Sequence, residues 1–158
     1  MTTPDREEVG PDELLSRHIF DPPMFPGGEL LARCFFEFPG GQCESVLWHR
    51  YVAEGLKGVH RMGCDKQSRA RDTQAHQGRN PDKTYIGAAT ARAADISSYR
   101  NPNGHGLKII HEPSEGRSHV HICYDSLPDT RQMDRSDKNE IKQKLVEIFS
   151  DVSYHVCP

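Results

Sequence analysis

The chain has 158 residues, of which 35% are hydrophobic, and its mean hydropathy is −0.74, so it fits one polar domain with a modest core. A formal net charge of −3 argues against a protein that binds nucleic acid with its whole surface. No run of about 18 apolar residues occurs, so we expect no membrane-spanning segment. The five cysteines follow no small disulfide framework, which favours reduced thiols and a cytoplasmic location.

The first 29 residues differ in composition from the rest of the chain. Residues 1–29 carry seven acidic and two basic side chains, and residues 21–28 are rich in proline and glycine. Such a segment buries little apolar surface, and its prolines interrupt regular structure. We therefore expect an acidic, proline-rich arm, with one helical turn near Asp12–Arg17, in front of a domain that covers residues 30–158.

The first strand of that domain is predicted where apolar residues alternate. Leu30–Phe38 places alternate residues on one face, and Pro39–Gln42 has the composition of a turn. A second strand over Cys43–His49 would complete an antiparallel hairpin.

The central part of the chain is polar and basic. Tyr51–Met62 has some helical character, which Gly55 and Gly58 weaken, and residues 63–83 hold almost no apolar side chains, so we expect a long loop there. Seven basic against three acidic side chains give the stretch Lys57–Lys83 a charge of +4, which suits contact with phosphates or with an acidic partner. A solvated loop without a ligand would have the same composition. The basic residues are Lys57, Arg61, Lys66, Arg69, Arg71, Arg79 and Lys83.

The last part of the chain has the clearest periodicity. A helix is predicted over Asp137–Ser150, because Ile141 and Leu145 begin an apolar stripe and Ser136 can cap it. Together these patterns predict a single α+β domain, with a mostly antiparallel sheet of about five strands and a C-terminal helix on one face. The other predicted elements are a strand at Thr84–Ala88, a helix at Ala89–Ser97, and strands at Gly106–His111, Arg117–Tyr124 and Val152–Cys157.

The best candidate site is the alternating segment around His119. Strand geometry places His119, His121 and Cys123 on one face, where they could share a metal such as zinc or act in catalysis. His155 and Cys157 share a face of the last strand and would join them if the two strands were neighbours. The two imidazoles could also act as general acid and base, since imidazole titrates near neutrality. Half-buried histidine and cysteine without any ligand are common in sheets, and no known zinc-ligand spacing is present.

A resemblance covers the second half of the chain. Ile86–Ala89, His111–Pro113, His119–Ile122 and Val156–Pro158 are similar to a C-terminal module of a group of small uncharacterised prokaryotic proteins. That module combines a His-x-x-Ile strand, a helix and a terminal proline. The chain departs from it in having Glu112 where aspartate is expected, and in the insertion at 63–83. The resemblance implies a microbial origin, beside mobile-element or anti-phage genes, and it carries over His119 without a role.

Three functions follow as hypotheses. The first is a non-enzymatic accessory subunit that binds a larger protein encoded nearby, because no complete catalytic motif occurs in the sequence. The second is a small metal-assisted hydrolase or nuclease that uses the histidine and cysteine strands. The third is nucleic-acid binding through the basic stretch.

Overall fold

The computed structural model describes residues 5–22, 24–38, 42–76, 83–126 and 133–158. No helix in these ranges is long and apolar enough to cross a membrane. The strands are β1 (Leu14–Asp21), β2 (Cys43–Trp48), β3 (Thr84–Arg92), β4 (His105–His111), β5 (His119–Ser126) and β6 (Asp151–Tyr154); the helices are α1 (Ala32–Phe35), α2 (Leu56–His76), α3 (Ala93–Ser97) and α4 (Arg135–Ile148).

All six strands join one antiparallel sheet, in the order β4-β5-β2-β1-β3-β6. Helices α1, α3 and α4 pack together over one face of this sheet, and α2 covers part of the other. The predicted α+β class, the antiparallel sheet and the C-terminal helix on one face are confirmed. The sheet has six strands, in agreement with the expected number of about five.

Strand β1 was not predicted, and it corrects the prediction for the N-terminal segment. Residues 14–21 lie in the middle of the sheet between β2 and β3, so the arm and the helical turn at Asp12–Arg17 are wrong there. Leu15 and Ile19 are fully buried on one face, while Ser16 and His18 are buried on the other. Because both faces are covered, the strand lacks the alternation of apolar and polar residues that marks a half-exposed strand.

The predicted strand over Leu30–Phe38 is also wrong. Ala32–Phe35 forms the short helix α1, and the rings of Phe35 and Phe36 both pack against Phe149, which follows α4. Two consecutive buried aromatic residues suit a helical turn, because a strand would direct them to opposite faces. The predicted strand Cys43–His49 is present as β2, but it pairs with β1 and β5.

Helix α2 replaces most of the predicted basic loop. It continues to His76, so the loop prediction is wrong over residues 63–76, while residues 77–82 lie outside the described ranges. A Cβ atom at Gly63 would overlap the ring of Tyr85, so this glycine permits the helix to lie close to β3. The side chain of Gln67 accepts a hydrogen bond from the backbone N–H of Tyr85 at 2.6 Å. A polar helix is therefore attached to the sheet by close approach and hydrogen bonding as well as by an apolar stripe.

The C-terminal elements follow their predictions more closely. Strands β4 and β5 and helix α4 are confirmed within a few residues, and Ile141 and Leu145 are fully buried. The helix is capped by Asp134 rather than by Ser136, in a reciprocal capping box with Asp137. The predicted helix at Ala89–Ser97 is shorter, because its first residues belong to β3.

Candidate functional site

Strand β5 presents the predicted group on the face of the sheet that α2 partly covers. Val120 and Ile122 point into the opposite core, while the side chains of His119 and His121 are 27% and 23% exposed. Cys123 lies beside Cys43 on β2, and the two form a disulfide. The alternation in the sequence thus placed the three side chains correctly, but Cys123 is bonded to another cysteine.

Glu115 lies next to both imidazoles. Its carboxylate is 2.9 Å from Nε2 of His121 and 3.9 Å from Nδ1 of His119. The hydroxyl oxygen of Ser45 lies 3.2 Å from the same Nδ1 atom of His119. In a serine–histidine–carboxylate relay the carboxylate must hold the nitrogen opposite the hydroxyl, so this arrangement does not form one.

A small polar cavity adjoins His119 beneath α2. Its volume is about 60 Å³, which suits a few water molecules rather than an organic substrate. Burial lowers the pKa of His119, against the opposing effect of Glu115, and this favours the neutral imidazole. Part of the Lys66 side chain is exposed, but desolvation of its ammonium group lowers its pKa, with Arg17 as a further cause. The residues lining the cavity include Ser16, His18, Ser45, Lys66 and His119.

The predicted convergence of β5 and β6 does not occur. Three strands separate them, so His155 and Cys157 lie apart from His119, and the single five-ligand site is wrong. Cys157 instead forms a disulfide with Cys64 on α2. The expected reduced thiols are therefore wrong for two pairs of cysteines in this structure, and Cys34 is free.

A histidine and tyrosine network surrounds this second disulfide. His60 is buried, with Nδ1 at 2.7 Å from the hydroxyl of Tyr85 and Nε2 at 3.0 Å from the hydroxyl of Ser153. Its ring stacks on that of His155 with the centroids 4.5 Å apart. The hydroxyls of Tyr85 and Ser153 thus hold both nitrogens of His60, and the His60 ring in turn supports the ring of His155.

A groove of about 480 Å³ runs along the end of β6 next to these residues. Phe25 contributes one wall, and its ring centroid is 6.1 Å from that of Tyr154. Tyr154 and Val156 are 66% and 90% exposed, which is unusual for side chains of their size. The groove also carries polar groups, among them Asp21, Gln67, Arg71 and His155.

The predicted phosphate-binding residues lie mainly on α2. Lys57 and Arg61 both contact the carboxylate of Glu54, at 3.9 and 3.1 Å, which offsets part of their charge. Lys66, Arg69 and Arg71 lie further along the same helix, Lys83 precedes β3, and Arg79 lies outside the described residues. Because most of these cations lie on a helix, their side chains point in several directions. They do not form the single flexible loop that was predicted. Nucleic-acid binding stays a prediction.

Comparisons of the chain with protein-family models, with curated proteins and with solved structures found no match. The resemblance to the prokaryotic module therefore also stays a prediction.

Several residues of these sites were not singled out from the sequence. Glu115 lies in the turn before β5, and only the proximity of that turn to His121 could have suggested it. The sequence gives no reason to pair Cys64 with Cys157, because the two are 93 residues apart and no spacing rule connects them. The pairing of Cys64 with Cys157 depends on strand order and on the position of α2.

Proposed function

We propose that this protein is a non-enzymatic subunit that binds an extended apolar segment of a larger protein along β6. The single observation that carries the proposal is the exposed apolar groove formed by Phe25, Tyr154 and Val156. Exposed large hydrophobic side chains are otherwise represented only by Leu14 in the part of the chain that the structure describes.

The position of β6 supports an extended ligand. This strand pairs with β3 on one side, and on its other side no described residue forms a further strand. A free strand edge offers backbone hydrogen-bonding groups to an incoming strand, and neighbouring pockets select its side chains. Burial of one exposed aromatic or aliphatic side chain of this kind contributes about 1.5–3 kcal/mol.

Quantitative co-purification from cells of the source organism tests the proposal. The tagged wild-type chain is expected to recover one partner in a fixed ratio, and purified partner is expected to bind in calorimetry. Tyr154→Ser is expected to weaken this binding at least about tenfold, because aromatic anchors contribute most at interfaces. Leu14→Ser is the matched control, since Leu14 is 41% exposed on another part of the surface.

Unchanged affinity in Tyr154→Ser, with both variants folded by circular dichroism, would contradict the proposal. Recovery of the chain alone, together with turnover of a substrate by the isolated protein, would replace it with an enzymatic function.

A second candidate function is a small hydrolase at His119, and the position of Glu115 favours it. One carboxylate next to two partly exposed imidazoles can supply acid–base groups or, after rearrangement, metal ligands. Purified protein should then hydrolyse an activated phosphodiester, and His119→Ala should abolish that activity. Equal rates in wild type and variant, and no bound metal by elemental analysis, would eliminate this candidate.

The proposed cellular setting is a microbial multi-protein system, and the resemblance alone supports it. The cytoplasmic location predicted from the cysteines stays a prediction, and the two disulfides count against it, because a reducing cytoplasm keeps thiols reduced.

A further inference from the structure

The cysteines near the end of the chain lie beside an imidazole. The ligand atoms of Cys64, Cys157 and His155 all lie within 4.8 Å of one another, and they form the one such group of potential metal ligands in the described ranges. They come from two parts of the chain: Cys64 from α2, and His155 and Cys157 from the segment after β6. From this juxtaposition we infer that the reduced chain binds a thiophilic divalent ion, zinc in the first instance, through Cys64, His155 and Cys157.

The chemistry of the three ligands suits zinc. Two thiolates and one imidazole are typical zinc ligands, and three protein ligands leave a fourth position for water or for a group from a bound partner. The groove adjoins these ligands, since its lining includes His155 and Cys157. His60 is not the fourth ligand, because Tyr85 and Ser153 engage both of its nitrogens.

His155 is held in place by contacts that do not depend on the disulfide. Its backbone N–H donates to the carbonyl of Ile86 at 2.9 Å, and its ring stacks on His60. No hydrogen bond from the described residues occupies its ring nitrogens. Cys157 lies two residues further on, in a segment without regular secondary structure. Two sulfurs on a tetrahedral zinc stand roughly 3.8 Å apart, given Zn–S bonds of about 2.3 Å, so this segment must allow them to separate.

The disulfide and the metal exclude each other. In this structure the two sulfurs are bonded, so neither is available as a thiolate. A dithiol reductant transfers two electrons and two protons to the bond, which yields two cysteine thiols and the cyclic disulfide of the reductant. Zinc then displaces the two thiol protons. Oxidation by a disulfide reverses the sequence: the cysteine thiolates lose two electrons, the oxidant becomes two thiols after taking up two protons, and the ion is released.

The test is a titration of the folded full-length chain with cobalt(II), as a spectroscopic substitute for zinc, before and after treatment with dithiothreitol and its removal under nitrogen. The reduced protein is expected to bind one ion, with thiolate-to-cobalt charge-transfer bands and tetrahedral d–d bands, and to release about two protons per ion. The oxidised protein is expected to show neither.

Variants identify the ligands. Cys64→Ser and His155→Ala are each expected to weaken zinc binding at least about tenfold, measured by competition with a chromophoric chelator. Cys34→Ser and the pair Cys43→Ser with Cys123→Ser are the matched controls, because they remove thiols outside the group. Circular dichroism establishes that each variant is folded, and the proton release gives a second readout for any variant with altered absorption.

Loss of binding in the Cys43 and Cys123 variant, with retention in Cys64→Ser, would move the site to β5 and overturn the inference. Equal binding by the oxidised and reduced chains would do the same. Because these readouts need no partner, they are independent of the partner-binding proposal.

Discussion

Arg17 and Glu44 form an ion pair inside the protein, where isolated charges are costly. Their closest atoms are 3.1 Å apart, and their side chains are 16% and 5% exposed. Arg17 also donates to the carbonyls of Phe35 and Ser45, and Glu44 accepts from the backbone N–H of Phe38. The pair thus connects β1, α1 and β2, and its value lies in satisfying groups that would otherwise be buried without partners.

Arg17→Met is expected to lower the free energy of unfolding by about 3–5 kcal/mol, because it leaves the Glu44 carboxylate buried without its partner. Urea unfolding followed by tryptophan fluorescence measures this, since Trp48 is fully buried. Arg92→Met is the matched control: Arg92 makes ion pairs that are largely exposed, so its removal should cost less than about 1 kcal/mol. Equal losses in the two variants would show that the buried pair contributes no more than an exposed one.

His18 makes stability depend on pH in a defined direction. Burial, with the nearby Lys66 as a further cause, lowers the pKa of His18 from 6.5 to about 3, and its Nε2–H donates to the carbonyl of Val59. Below pH 6.5 the unfolded chain therefore binds a proton at His18, whereas the folded chain keeps this imidazole neutral. The contribution of His18 to the free energy of unfolding is complete above pH 6.5 and is lost as the pH falls from there toward 3.

The variant His18→Gln should accordingly show a weaker decline of stability with falling pH. Between pH 6.5 and 3 the slope is expected to be smaller by up to about 1.4 kcal/mol per pH unit, the effect of one proton. Thermal unfolding at a series of pH values measures the difference, in which the contributions of carboxylates and other histidines cancel. Parallel curves for the two proteins would mean that His18 titrates normally in the folded state.

At the scale of elements, α2 shows how close packing can overrule helix propensity. Its glycines argue against a helix, yet at Gly63 the absent side chain is what allows contact with Tyr85. The Tyr85 ring cannot move aside easily, because it is 1% exposed and its hydroxyl lies 2.7 Å from His60.

Gly63→Ala is therefore expected to destabilise the protein by about 1–3 kcal/mol, although alanine is the better helix former. Differential scanning calorimetry should show a lower Tm. Ser68→Ala, at an exposed position of the same helix, is the control and should leave the Tm unchanged or slightly higher. A higher Tm for Gly63→Ala would show that the helix and sheet can separate without cost.

The elements differ in how far their sequences predict them, and the reasons are physical. Helix α4 has one apolar stripe and β5 alternates cleanly, because each has one face in the core and one toward polar surroundings. Strand β1 is buried on both faces, and several of its buried residues are polar. Its composition therefore resembles that of a solvent-exposed arm. The shared face of His119 and His121 follows from local periodicity. The pairing of Cys64 with Cys157 depends on tertiary contacts that local patterns do not specify.

At the scale of the whole molecule, the two faces of the sheet differ in composition, and several unusual features lie together at the β6 edge. One face carries the continuous apolar core beneath α1, α3 and α4, while the other carries the polar cavity and α2. The groove, the stacked histidines and the second disulfide all lie at the β6 edge. Because exposed apolar side chains and reactive groups are concentrated there, we propose partner binding at β6.

Site-specific photo-crosslinking in cells of the source organism tests this placement most directly. A benzophenone amino acid is introduced in place of Tyr154 in one chain and in place of Leu14 in another. We expect position 154 to crosslink to one larger protein in high yield and position 14 not to. Equal labelling from both positions, or crosslinks from position 14 alone, would contradict partner binding at the β6 edge.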